Sequence, residues 1–540
     1  MKKTAVSFAV ALFALAAPAH VAADVARTNA TTIPHVLRFA TAEDIAGLNP
    51  ELNTQAVLGY LSQMTMAYLF RYDHQNQIEP ELATVVPTFA NGGISKDGKT
   101  ITLHLRGGVK WSDGEPFGAD DVVFSIDAMN NPANNVASRD GFDRVTKAEA
   151  PNATTVVVHL RETYGTIVPT LFGSSGSVAV LPKHLLGSLP DINSAPYNSL
   201  PVGIGPFRYA VWKRGDSVEL EPNPYYWRGR PKLNRFIMKL IPDRNTVLAQ
   251  LQTGELDMWY PLGGAFLGRV QAIPGVRVIR HPAYSFNEIG LNVKNAALAD
   301  VTVRRALRLA TDRKTLIAKV GHGVGIPQDT SAPLVDPAVP KDIPFVEYDP
   351  AKANALLDAA GWQRGADGIR AKNGTRLSFQ VATGVGLPDV DTAIELIRAW
   401  WKDIGVDLSV QHYESSMLFG PASAGGILMS GKFDIGLLAW TVSVPIDPSN
   451  LYACKAAPPG GQNLGRYCNH AVDALLDDMQ STYDEARYRR DLSGVLHVVA
   501  DDVPVIVQSG REAIFGVNRD LQNFDPNEVT PFDDMLNVDI

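Results

Sequence analysis

Apolar and polar residues alternate in short runs at five places in the first half of the chain: VLRFA from Val36, ITLHL from Ile101, TTVVVHL from Thr154, SVELE from Ser217 and RFIMKLI from Arg235. A repeat of two sends successive side chains to opposite faces of an extended backbone, so each run predicts a half-buried β-strand. Further on the period changes to that of a helix. In YDPAKANALLDAAGW, Asp349 is placed to cap a helix and Pro350 sits at its first position, while Leu356 and Leu357 face a core and Gly361 ends the element. The stretch DVTVRRALRLATDRKTLIAKVG predicts two successive helices capped by Asp300 and Asp312, with Val303, Leu307, Leu316 and Ile317 apolar. They follow a strand expected at about Ile289 to Val293, and another helix is expected from Asp391 to Asp403, ahead of a strand in VDLSVQHY. No internal repeat of fixed period is visible. Strands and helices mixed in several clusters predict α/β lobes rather than an all-β or all-α body.

One segment reads at first as chemistry. WSDGEPFGADDVVFS brings Asp113, Glu115, Asp120 and Asp121 close together in sequence. Asp113-Gly114 is a strong turn dipeptide, and Val122, Val123, Ile126 and Met129 then form one apolar helical stripe behind a cap at Gly118. Asp120 and Asp121 fall in the first turn of that helix, where carboxylates favour the positive end of the dipole. Adjacent helical residues point about 100° apart, so the pair is not arranged to share a metal or a proton.

Length and composition narrow the class. At 540 residues the chain exceeds one compact core, which implies roughly two to four domain-sized units. With 45% hydrophobic and 20% charged residues it is neither a disordered nor a membrane composition. A formal charge of -8 and no long Lys/Arg run leave no basic footprint for nucleic acid. The first residues, MKKTAVSFAVALFALAAPAHVAAD, carry two lysines, an apolar run and small residues before Asp24, which is the pattern of a secretory signal spanning 1–23. Export without an N-terminal cysteine anchor points to the periplasm. Cys454 and Cys468 are the only cysteines, and in an oxidising compartment they are expected to form a disulfide closing a loop of about 15 residues. No CxxC and no nearby pair of histidines supplies further ligands for zinc.

LHLRGGVKWSDGEPFGADDVVFSI resembles the signature of the extracytoplasmic solute-binding proteins of family 5, the peptide, nickel and opine class that serves ABC importers. The resemblance continues through residues 201–258, 290–317, the helix at Asp349 and 437–476, covering almost the whole mature chain in order. It implies a two-lobed periplasmic binding protein fold of the cluster C type. The first lobe would be 24–284 plus 510–540, with an extra subdomain inserted at about 59–200, and the second lobe 285–509. NEIGLNV and PVIVQSG would be the crossings between them. The implied function is capture of a peptide or peptide-like solute between closing lobes, with no cofactor, no catalytic residue and no resident metal. The implied partners are the ligand and the membrane permease subunits of an importer, and the expected state is a monomer.

The resemblance also nominates site residues. Trp440 and Thr441 match the family's cleft loop, the Trp440 ring being placed either to stack on a ligand or to fill a core. Asp447 matches a general Asp-Pro of that loop; Tyr284, Phe286 and Asn287 lie at the first crossing, and Thr41 and Glu43 follow the opening strand. Dipeptide binders of the family hold the ligand's amino group with an Asp shortly after Gly-Trp-Thr and its carboxylate with an Arg in another loop. Here Ser443, Val444 and Pro445 stand where the acid belongs, and ATGVGLPDVDT carries no arginine. Buried charges without partners cost several kcal/mol, roughly, which disfavours a free dipeptide. Longer or modified peptides, opine-type conjugates and oligosaccharides stay compatible, and nickel would call on His281 or His412. The rival from another class is an exported hydrolase; no GxSxG, HExxH, CxxC or GxxxxGK[ST] pattern supports it.

Overall fold

The protein is described here by a computed structural model, which covers residues 28–540 apart from 54, 74, 75, 140, 176, 177 and 528. The export signal expected at 1–23 lies outside the described residues. Ten strands make one mixed sheet: β1 Val36–Thr41, β2 Phe207–Lys213, β3 Ser217–Pro222, β4 Arg235–Leu240, β5 Met258–Trp259, β6 Val276–Leu291, β7 Ser378–Gly384, β8 Asp407–Tyr413, β9 Ile435–Thr441 and β10 Val505–Asn518. Their spatial order is β8-β7-β9-β6-β10-β5-β1-β4-β3-β2. The alternating runs at Val36, Ser217 and Arg235 are thus strands, and their buried positions Leu37, Phe39, Val218, Leu220, Phe236 and Met238 join one core with Phe515 and Phe532.

The two long strands β6 and β10 lie side by side at the middle of this sheet. At one end β10 continues into β5 and β1, and at the other β6 pairs with β9 from Ser285↔Thr441 to Leu291↔Ile435. Their own ladder is interrupted between Pro282 and Phe286, opposite Glu512 and Gly510. The sequence predicts strand only from about Ile289 because the alternation breaks in this stretch. Pro282 removes a donor, and the strand passes from one packing environment to another. Beyond the break, Ile289, Leu291, Ile435, Val381 and Ile506 build a second core under the helices of that side.

Those helices start where their caps stand. Taking α1 as Ala56–Thr65 and α2 as Ala119–Asn130, the later ones include α3 Val301–Leu309, α4 Arg313–Lys319, α5 Pro350–Ala359, α6 Pro388–Asp403 and α7 Glu485–Asp502. Asp300, Asp312 and Asp349 accept the backbone N–H groups of Thr302, Thr315 and Lys352. Gly361, just past α5, has φ +82, a conformation a Cβ disfavours. α6 begins three residues before Asp391 because Pro388 starts it.

A third core lies within 59–200. An antiparallel sheet of Thr100–His104, Thr155–Leu160 and Val145–Asn152 packs against α2, around Trp111, Val122, Ile126, Val156 and Val158. The acidic segment resolves here into turn and cap. Asp121 is buried and accepts the N–H groups of Gly118 and Lys183, both at 3.0 Å, whereas Asp120 points to solvent beside Lys183. Asp113 meets His184 at 2.8 Å, and Gly114 takes φ +99 in the turn.

Candidate ligand-binding site

A cavity of about 560 Å³ opens where the 59–200 segment faces the segments around Asp336, Val444 and Tyr483. That size suits a small ligand, for which roughly 300–1,000 Å³ is usual. Its walls are largely apolar, with Ile78, Phe89 and Val168 on one side and Pro337, Val444 and Tyr483 on the other. The two sides also touch directly. Tyr72 donates from its hydroxyl to the Val444 carbonyl at 3.0 Å, and the Tyr483 hydroxyl donates to the Gly98 carbonyl at 3.1 Å. Phe89 meets Tyr483 edge to face at 5.3 Å, and the Gly165 N–H donates to the Gln480 carbonyl at 2.7 Å.

A polar chain crosses this junction. The Asn76 amide donates to the Tyr284 hydroxyl at 3.2 Å, which donates to Asp336 Oδ2 at 2.9 Å. Three separate stretches of sequence therefore meet at one buried tyrosine, Tyr284 being 4% exposed. Burial holds the Tyr488 hydroxyl well above the usual tyrosine range, and the charges of Asp336 and Asp447 push it the same way.

The residues nominated from sequence fall into four places. Tyr284 lies in the chain just described, bonded to Asn76 and Asp336 of the cavity wall but not itself part of that wall. Phe286 and Trp440 are cross-strand neighbours on β6 and β9, Phe286 fully covered and Trp440 half-buried. Thr441 ends β9 exposed, and Asn287 reaches Ser509 on β10 at 3.3 Å. On the other side Thr41 is buried, its hydroxyl accepting the Glu43 N–H at 3.1 Å, and Glu43 accepts the Val57 N–H at the start of α1. Asp447 accepts from the Ser449 N–H at 2.9 Å and the Gln480 amide at 2.8 Å. Ser443 closes the same turn, donating to the Pro445 carbonyl.

The Trp440 ring is tied by its Nε1, which donates to Glu288 Oε1 at 2.9 Å. Glu288 is 4% exposed and its carboxyl is pushed up to about 7 by burial, the Trp440 bond working against that rise. The histidines nominated for nickel are separate: His412 pairs with Asp391 at 2.8 Å, and His281 lies on β6. Cys454 and Cys468 are joined in a disulfide, so their sulfurs are not available as metal ligands beside His470 and Asp473.

Sequence reasoning missed the cavity's own wall, above all Asp336, Phe89, Thr166 and Tyr483. The local signal was the departure at Ser443-Val444-Pro445, since Val444 and Pro445 line the cavity.

Residues 77–462 match the model of the bacterial extracellular solute-binding proteins, family 5 Middle, over more than half of the chain. The chain belongs to this family. It is 28% identical over 451 residues to the oligopeptide-binding protein AppA of Bacillus subtilis (strain 168), covering 82% of this chain and 80% of AppA. The structure of AppA from Bacillus subtilis in complex with a nonapeptide aligns with a TM-score of 0.76 at 25% identity, over 93% of this chain and 98% of that one. NikZ from Campylobacter jejuni in complex with Ni(L-His) aligns with a TM-score of 0.74 at 26% identity, over 91% and 95%. The expected two-lobed α/β architecture of family 5 is therefore the fold of this protein. Among the described residues no helix is long and apolar enough to cross a membrane.

Proposed function

We propose that this family 5 protein is the exported substrate-binding component of an ABC importer and captures a peptide or peptide-like solute between its lobes, without catalysing a reaction on it. The observation that carries this reading is the cavity of about 560 Å³ whose walls come from both sides of the junction and are already bridged by hydrogen bonds. A site made this way is completed only on closure, so solute binding amounts to a shift toward the closed state.

On this reading 24–284 plus 510–540 form one lobe, carrying the inserted subdomain at about 59–200, and 285–509 form the other. The hinge falls at Ala283–Ser285 and Arg511, where the β6–β10 ladder is interrupted. The mature chain is released on the far side of the cytoplasmic membrane, acts as a monomer and hands its solute to membrane permease subunits. The largely apolar wall and the lack of the dipeptide charge clamps favour oligopeptides over free dipeptides.

A thermal-shift screen tests this with pools of oligopeptides, dipeptides, opine-type conjugates, oligosaccharides and nickel. A solute that binds only the folded protein raises the melting temperature by mass action. The oligopeptide pool is expected to give the largest rise, with every peptide recovered intact. A rise with sugars or nickel alone would replace the peptide reading, and cleaved peptides would replace the binding reading with the hydrolase.

A further inference from the structure

The family's dipeptide binders place an acid after Gly-Trp-Thr, and this chain has Ser443, Val444 and Pro445 there. Asp336 reaches the same neighbourhood from a different segment, since Asp336, Val444 and Pro445 line one cavity. Asp336 as a residue is 9% exposed, and its carboxylate accepts two hydrogen bonds, from the Tyr284 hydroxyl at 2.9 Å and the Ala338 N–H at 2.7 Å. A carboxylate has acceptor sites for about four. Among the described residues no lysine, arginine or histidine lies within ion-pair distance of it. Lys341 is close, but its ammonium is spent on the carbonyls of Leu334 and Asp336. The one guanidinium in the cavity wall, Arg489, is engaged by Glu485 and the Pro337 carbonyl. Asp484 adds negative charge to the same wall, while Glu485 and Arg489 offset each other.

A second observation points to a ligand. Thr166 lines the cavity, is 8% exposed, and its hydroxyl has no hydrogen-bond partner among the described residues. A buried hydroxyl ordinarily finds one. The remainder of the wall is apolar and aromatic, with Ile78, Phe89 and Tyr483 in reach of a side chain rather than of a charge.

Resting on the peptide reading above, we propose that this cavity is the subsite for the free amino terminus of the bound peptide, with Asp336 as the counter-ion of the terminal ammonium, Tyr284 holding that carboxylate in place, and Thr166 supplying a further polar contact. The first residue of the peptide is then apolar and packs against Phe89 and Tyr483. The specificity-determining acid has moved from the cleft loop to the Asp336 loop, which explains how a chain without the usual acid still selects a charged end.

The test uses the full mature protein and a mixture of random hexapeptides in two forms, with free and with acetylated amino ends. Peptides retained after gel filtration are read by mass spectrometry. Wild type is expected to retain free-amino peptides with at least about tenfold enrichment over acetylated ones, the worth of one charge-assisted hydrogen bond, and to favour apolar first residues. Asp336→Asn keeps the size and the Tyr284 contact and is expected to abolish the enrichment while still retaining peptides. Tyr284→Phe, which leaves the carboxylate but frees it to turn, is expected to reduce the enrichment partially and serves if Asp336→Asn does not fold. Equal retention of both forms by wild type overturns the amino-terminal assignment and leaves peptide capture standing. Retention of neither form overturns peptide capture and this inference with it.

Discussion

The Trp440–Glu288 pair gives a prediction whose size follows from burial. Replacing Trp440 with Phe keeps an aromatic ring next to Phe286 but removes the Nε1 donor that bonds Glu288 Oε1 at 2.9 Å. The carboxyl lies at about 7 rather than 4.5 because it is buried. The folded protein therefore binds the Glu288 proton more tightly than the unfolded chain. The stability linked to it is complete below pH 4.5 and is lost as pH rises through 7. At about 1.4 kcal/mol per pH unit, that loss reaches about 3 kcal/mol once both states are ionised. Trp440 limits this loss, since a hydrogen bond to a charged group is worth about 1.5–3 kcal/mol against about 1 to a neutral one. Trp440→Phe is thus expected to destabilise by about 1 kcal/mol more at pH 8 than at pH 5. The assay is urea unfolding followed by circular dichroism at both pH values, repeated in a Glu288→Gln background where the pH dependence of the substitution should vanish. An equal cost at pH 5 and pH 8 would refute the reasoning, and so would a pH dependence that survives Glu288→Gln.

Two further outcomes follow from individual residues. Glu51 is 2% exposed; Oε1 accepts the Ala179 N–H while Oε2 has no partner among the described residues, and burial pushes the carboxyl up to about 8. Its proton too is lost at a cost as pH rises from 4.5 to 8, so Glu51→Gln is expected to match wild type near pH 5 and exceed it by up to about 4 kcal/mol at pH 8, read by calorimetry. Gly165 lets its own segment approach the segment at Thr482, because a Cβ there would overlap the Thr482 carbonyl oxygen. Gly165→Ala is expected to leave the melting temperature of the unliganded protein nearly unchanged and to weaken retention of the hexapeptide mixture at least about tenfold; undiminished retention would show that this contact is not part of the closed state.

Much of the fold was legible because it is written locally. An Asp before a helical apolar pattern satisfies the first free N–H groups, and Asp300, Asp312 and Asp349 do so at their expected positions. Alternation located β3 and β4 because one face of each meets a core; β1 is covered on both faces, with Leu37 and Phe39 in one core, Ala40 in another and Arg38 paired with Asp257. The acidic segment at Asp113 to Asp121 could be assigned to turn and cap from spacing alone. β6 was legible only at its end, because Pro282 and the change of environment break its period. The cavity was illegible for a different reason. Phe89, Thr166, Asp336, Val444 and Tyr483 are brought together only by the tertiary fold, and in sequence Asp336 sits in the Pro-rich stretch SAPLVDPAVP, where an acid reads as a turn former. The resemblance pointed to the loop after Trp440 as a cleft loop, and the departure at Ser443, Val444 and Pro445 pointed to a missing charge clamp.

The claim beneath all of this is that two lobes hinge at the interrupted β6–β10 ladder and close on the solute. Small-angle X-ray scattering of the mature protein, with and without a saturating random hexapeptide mixture and with bound peptide verified in the same sample, measures that directly. A smaller radius of gyration in the peptide-bound sample is the expected result, and identical profiles with peptide demonstrably bound would contradict it.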